Sequence, residues 1–136
     1  MESRYEPKET ERLQALSRYD ILDSPPEAVF DDLTTLAADI CEVPISLLTF
    51  LDGDREWFKS RVGVPWTEVP RENAFCAHTM LQTDVLVVPD ATHDLRFANN
   101  PLVKGEEGIR FYAGYPLISP DGHGLGALCV LDRIPH

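Results

Sequence analysis

The sequence predicts an α+β fold: one antiparallel sheet of about five strands with helices packed on it. Two observations predict the sheet. Phe111–Asp132, FYAGYPLISPDGHGLGALCVLD, reads as two strands around Pro120-Asp121-Gly122, where proline pre-sets one turn dihedral and glycine accepts a positive one. Ile45–Leu51 and Glu56–Val62 flank Asp52-Gly53, a second hairpin signal. A third observation predicts the helices: apolar residues at helical spacing run through the first forty positions, before any strand-like stretch.

In order along the chain, Met1–Lys8 is polar and expected to fray. Glu9–Tyr19 is a short helix with Leu13 and Leu16 on one side; the mixed charges of the N-terminal stretch (Glu9 and Glu11 with Arg4, Lys8, Arg12 and Arg18) read as a solvated helix face. Ser24-Pro25-Pro26-Glu27 is a helix start with the residues of a capping box. Val29, Phe30, Leu33, Leu36, Ala37 and Ile40 then lay one helix face on the core, and the helix stops before Pro44. After the first hairpin comes a loop over Val64–Glu72, which contains Trp66, while Trp57 packs over the sheet. Asn73 caps a short helix over Ala74–Gln82, Val85–Val88 is a lone strand, and Ala91–Gly108 is a long loop with at most one helical turn near Leu95–Ala98. Loops this long in compact domains are usually functional or disordered. In the final hairpin neither strand alternates apolar with polar, so both are expected to be covered on both faces, with a bulge or unpaired position at Pro116.

At 136 residues the chain makes one domain, spanning 1–136, with room for a core. Its net charge of -11, from 23 acidic and 12 basic residues, repels phosphate backbones and argues against nucleic acid. No apolar run is long enough to span a membrane and Met1 starts no signal-peptide pattern, so a cytoplasmic location is expected. Cys41, Cys76 and Cys129 are odd in number and form no CxxC pair, which favours buried free thiols.

Five stretches in order then resemble a GAF domain: ERLQALSRYDILDSPPEAVFDDLT, VPISLLTFLDGDREWFKSRVG, FCAHTM, LVVPDATHDLRFANNPLV and IRFYAGYPLISPDGHGLGALCVLD. They cover nearly the whole chain and are similar to the version found N-terminal in bacterial sensor histidine kinases and diguanylate cyclases. The resemblance implies a GAF/PAS-like sheet in the order 2-1-5-4-3, with helices on one face and a pocket on the other, roofed by loops and short helices. It also implies a sensory or dimerising role, with output carried by a linked kinase or cyclase domain and a homodimer as the working unit. In the family the last strand leads into a signalling helix; here only Arg133–His136 follow it, so the chain reads as a sensor module cut before that helix.

The candidate ligand residues are Cys76, His78, Asp90, Phe97, Asn100, Arg110 and Tyr112, with Arg96 and Asn99 beside them; they lie in or next to the segment that roofs the pocket in the family. They would contact a small polar ligand. The plainer alternative is that Cys76 packs inward, His78 caps or lines the pocket, and the Asp and Asn residues satisfy turn backbone. Cys76 with His78 would suit a tuned thiol, but residues two apart do not face each other on a helix. Cys76, His78, Asp90, His93 and Asp94 show no closed spacing of a structural metal site. No residue pattern identifies a cofactor. The leading function is non-catalytic sensing of a small molecule. Bilin-binding relatives carry a cysteine and a histidine just before the strand matching Phe111–Leu117, and Leu95–Arg110 has neither; the cyclic-nucleotide signature begins with Asn-Lys, which is absent. The alternatives are a purely structural dimerisation module and an enzyme resembling free methionine sulfoxide reductases. The latter need an accessible cysteine in the loop matching Ala91–Gly108, which has none.

Overall fold

The computed structural model describes residues 6–136, so most of the segment expected to fray, Met1–Lys8, lies outside the described residues. Helices α1 (Glu6–Ser17) and α2 (Ala28–Cys41) come first. Strands β1 (Ile45–Leu51), β2 (Arg55–Val62) and β3 (Glu68–Pro70) follow, then a one-turn helix α3 (Cys76–Thr79) and strand β4 (Leu86–Val88). Another one-turn helix, α4 (Pro101–Lys104), precedes β5 (Phe111–Ile118) and β6 (Gly124–Asp132). Among the described residues the sheet has six strands in the order β3-β2-β1-β6-β5-β4. The expected five are present in their expected order. The extra strand is β3, three residues pairing with Arg55–Trp57 at the edge of β2; it ends in Pro70, as an edge strand can.

The central β1–β6 pair aligns Ile45 with Leu131 and Phe50 with Gly126. The two strands approach so closely here that a Cβ on Gly126 would lie 1.8 Å from the Thr49 carbonyl oxygen. One sheet face carries α1 and α2; the other carries α3, α4 and the connecting loops over the main core of Ile45, Leu47, Phe58, Val88, Tyr112, Cys129 and Leu131. The β1–β2 ladder slips between Leu48 and Thr49, pairing Leu48 with Ser60 but Thr49 with Phe58. Lys59 is the extra residue of this bulge. Two consecutive side chains therefore reach the helix side: Lys59 meets the start of α2, and Ser60 donates to Asp31 and shares a hydrogen bond with Thr34.

Lys59 explains why the capping box is not formed. Its buried ammonium needs partners. It takes Glu27 Oε2 at 2.7 Å, Ser24 Oγ at 2.7 Å and the Pro25 carbonyl. The expected cap residues serve this cation, and α2 starts at Ala28 with no side-chain cap. Its covered face is only partly the expected one, with Phe30 and Ala37 half-buried. Thr34 and Ala38 are buried on the sheet, whereas Val29, Leu33, Leu36 and Ile40 are 67, 40, 54 and 71 % exposed. Ser60 holds Thr34, and that polar pair sets the rotation of the helix.

Other expectations are corrected locally. Asn73 closes a 3₁₀ turn and does not cap α3, whose preceding residue is Phe75. The long loop turns near Leu95–Ala98 as expected, with the Phe97 and Ala98 amides donating to the Asp94 carbonyl, but it also holds a 3₁₀ turn at Ala91–His93 and the helical turn Pro101–Lys104, capped by Asn100. Pro116 pairs with Ala127, and the ladder irregularity lies beyond it, between Leu117 and Ile118. Of the final hairpin's two strands β6 is covered on both faces, but β5 is not: Tyr115 and Ile118 are exposed because α1 and α2 lie over β1, β2 and β6. Cys41, at the end of α2, is exposed, while Cys76 and Cys129 are buried. Arg12 is buried too: it is bound to Glu9 and to the Gly124 carbonyl, so α1 docks through the charges expected to be solvated. No helix among the described residues is long and apolar enough to cross a membrane.

Candidate functional site

A cavity lies on the sheet face opposite α1 and α2. Ile45 and Leu47 of β1, Glu56 and Phe58 of β2, and Cys129 and Leu131 of β6 form its floor. Tyr112 of β5 and Val69 of β3 stand at the sides; Val64, Trp66, Phe75, Leu102 and Ile109 complete the wall and roof. These side chains meet because each strand contributes alternate residues to one face. Trp66 and Leu102 are half-buried and the rest are buried, so the way in runs between those two. Only about 20 Å³ is open to the centre of a water molecule, room for one or two waters.

No lysine, arginine or histidine lines this cavity. Glu56 is its one carboxyl, fully buried. Burial pushes its pKa up to about 7, against hydrogen bonds from Cys76 and Thr49 that favour the charged form. Burial also drives the Cys129 thiol and the Tyr112 phenol well above their ordinary ranges, so both stay neutral. Tyr112 Oη and Thr79 Oγ1 are 2.7 Å apart, which ties β5 to α3 across the roof.

Of the seven residues singled out from the sequence, Tyr112 lines the cavity and the others stand around it. Cys76 turns inward to Glu56, and burial, with the nearby Glu56 second, drives its thiol far above the reactive range. His78 points elsewhere, edge-on to Phe97 at 4.9 Å between centroids; burial, then the Arg96 charge, lowers its pKa. Phe97 is fully buried and stacked on Phe75 at 4.3 Å. Asp90 accepts from the Thr92 amide and hydroxyl. Asn100 accepts from the Leu102 amide and donates to the Asn73 carbonyl, holding α4 to the turn before α3. Arg110 donates to the Val103 and Ile109 carbonyls. Asp90, Asn100 and Arg110 thus bind backbone, Arg96 pairs with the Asp94 carboxylate, and the cavity is apolar. Among the described residues no three His, Cys, Asp or Glu side chains gather as a metal site. Glu56 was missed from the sequence. Its signal was there: it stands two residues before Phe58 in a strand, so both share the core face.

Phe97 is the pin of the roof. Phe97→Ala is expected to cost about 3–5 kcal/mol, since its ring leaves a hole between Phe75 and His78. Urea unfolding followed by far-UV circular dichroism measures it.

A sheet with helices on one face and a roofed cavity on the other defines a pocketed α+β domain. Residues 25–136 match the family model of the GAF domain, and the chain belongs to that family. It is 40% identical over 131 residues to a cyclic di-GMP phosphodiesterase of Pseudomonas aeruginosa, covering 96% of this chain but 22% of that protein. The chain therefore spans about a fifth of that relative's length. Two solved structures share the fold at low identity. The GAF domain of an Acinetobacter phosphoenolpyruvate-protein phosphotransferase superposes with TM-score 0.61 at 15% identity, covering 95% of this chain and 79% of that one. A free methionine-R-sulfoxide reductase of Neisseria meningitidis, solved with its substrate, superposes with TM-score 0.62 at 16% identity, covering 93% and 74%.

Proposed function

We propose that this chain is a single, non-catalytic sensory domain, cytoplasmic, in a bacterial signal-transduction protein. It binds a small molecule in the sheet cavity and biases a covalently linked output domain. The cavity carries the reading: it is apolar, supplied with one polar anchor, and closed by two half-buried side chains that a ligand displaces. Ligand binding would move Trp66 or Leu102, and a ligand with unequal affinity for the two roof positions shifts their populations. The kinship with the phosphodiesterase supports an output enzyme of cyclic-dinucleotide signalling, whether cyclase or phosphodiesterase, beside the histidine kinase alternative. The absence of catalysis is supported by the thiols on the cavity side of the sheet: Cys76 and Cys129 are buried and held protonated, unlike the thiolate a reductase needs, and the exposed Cys41, at the end of α2, does not line the cavity. Native mass spectrometry of the freshly purified protein tests the reading. A small mass lost on denaturation is expected; a bare mass, with no thermal shift from any of a metabolite panel, would overturn it.

A second reading, a dimerisation module, has its own observation. Val29, Leu33, Leu36 and Ile40 are exposed on α2 at spacings of four, three and four, the a/d pattern of a helix seam. A homodimer packed through α2 would cover them. Leu36→Glu with Ile40→Glu is then expected to convert a dimer to a monomer in analytical ultracentrifugation with unchanged far-UV circular dichroism.

A further inference from the structure

The cavity's chemistry also indicates what kind of molecule fits it; this inference rests on the sensor reading above. Glu56 is the one group there that can carry charge near neutral pH, and every other polar atom in the lining belongs to a thiol, a phenol, an indole or the backbone. An anionic head would meet a carboxyl with no lysine, arginine or histidine to balance it. The groups facing Glu56 are Thr49 of β1, Cys76 of α3, Cys129 of β6 and Tyr112 of β5; none is cationic. The walls are aromatic. Phe58 and Trp66 lie 6.4 Å apart at 54°, and Phe75 and Tyr112 lie 5.1 Å apart at 50°. A carboxylate in a cavity lined by four aromatic rings favours a cation over a neutral molecule, through ion pairing.

We propose that the cavity binds small amines: a cationic nitrogen on Glu56 and a flat apolar body between the Trp66 and Phe75 walls, with anions rejected. The amine enters between Trp66 and Leu102 and displaces them outward, because the closed cavity holds only a water or two. Its binding releases the proton of Glu56, so affinity rises with pH through about 7.

Three one-ring probes test this on the whole chain: phenethylamine, 2-phenylethanol and phenylacetate, titrated at pH 6 and pH 8. Isothermal calorimetry gives affinity, and tryptophan fluorescence reports Trp66. At pH 8 phenethylamine is expected to bind about tenfold or more tighter than phenylacetate. It should lose about tenfold at pH 6. In Glu56→Gln it should fall to the level of 2-phenylethanol. Equal binding of the three probes, or phenethylamine binding unchanged in both Glu56→Gln and pH 6, overturns the amine assignment and leaves the cavity as a ligand site. No binding by any probe at millimolar concentration overturns the amine assignment, and the ligand reading then stands or falls with the native mass spectrum. The pH comparison uses the native chain, so the test stands even where Glu56→Gln folds poorly.

Discussion

Glu56→Gln is expected to stabilise the protein at pH 8 relative to pH 5, by about 2–3 kcal/mol over that interval. The sign follows from the folded carboxyl. Its pKa stands at about 7, above the 4.5 of an exposed glutamate, because burial penalises the charge. Between these values the folded protein keeps a proton that the unfolded chain releases. Its contribution is fully present below about pH 4.5 and is lost as pH rises through 7. Glutamine has no proton to lose, so the variant escapes that loss. Any hydrogen bond to Cys76 or Thr49 changed by the amide affects both pH values alike and cancels in the comparison. Glu9 does not interfere: its pKa is lowered to about 2, so it titrates below this window. The difference in melting temperature between variant and parent should widen by roughly 10 °C from pH 5 to pH 8. A difference independent of pH would mean that Glu56 is charged in the folded state, with a solvated path to its carboxyl.

Gly126→Ala is expected to cost more than about 4 kcal/mol, or to prevent folding. The added methyl would lie 1.8 Å from the Thr49 carbonyl oxygen and 2.8 Å from the Phe50 Cα. These are backbone atoms of the central strand pair and cannot rotate away; relief requires β1 and β6 to separate, which breaks the floor of the cavity. Gly122→Ala is the control. Its φ of +90° carries the strain of a side chain in that region, but nothing lies within 4 Å, so the loss should be about 1–2 kcal/mol. Urea midpoints of the two variants measure the contrast. Similar losses would show that the β1–β6 contact relaxes easily.

Much of this architecture is legible in the chain. Asp52-Gly53 and Pro120-Asp121-Gly122 mark both hairpins, because turn chemistry is local and needs no knowledge of what packs above. The five GAF-like stretches implied the strand order of the five expected strands. β3 stayed hidden since three residues ending in proline carry no periodicity, and only pairing with Arg55–Trp57 makes them a strand. Of the cavity, Tyr112 was visible because it sits in an unmistakable strand. Asp90, Asn100 and Arg110 were plausible contacts from their types, yet their side chains are consumed by backbone.

What the sequence by itself determined is the class of fold, the positions of the hairpins and the kinship: all rest on near neighbours or on order along the chain. The tertiary structure alone decided three matters. It turned α2 so that Thr34 faces the sheet and Leu36 faces solvent, because Lys59 and Ser60 on a bulged strand claim the polar residues of that helix. It placed Cys76 against Glu56 and away from His78. It buried the Glu56 carboxyl beside Thr49 and Cys76 in the wall of an apolar cavity, and an acid's charge state depends on solvent and partners brought from distant parts of the chain.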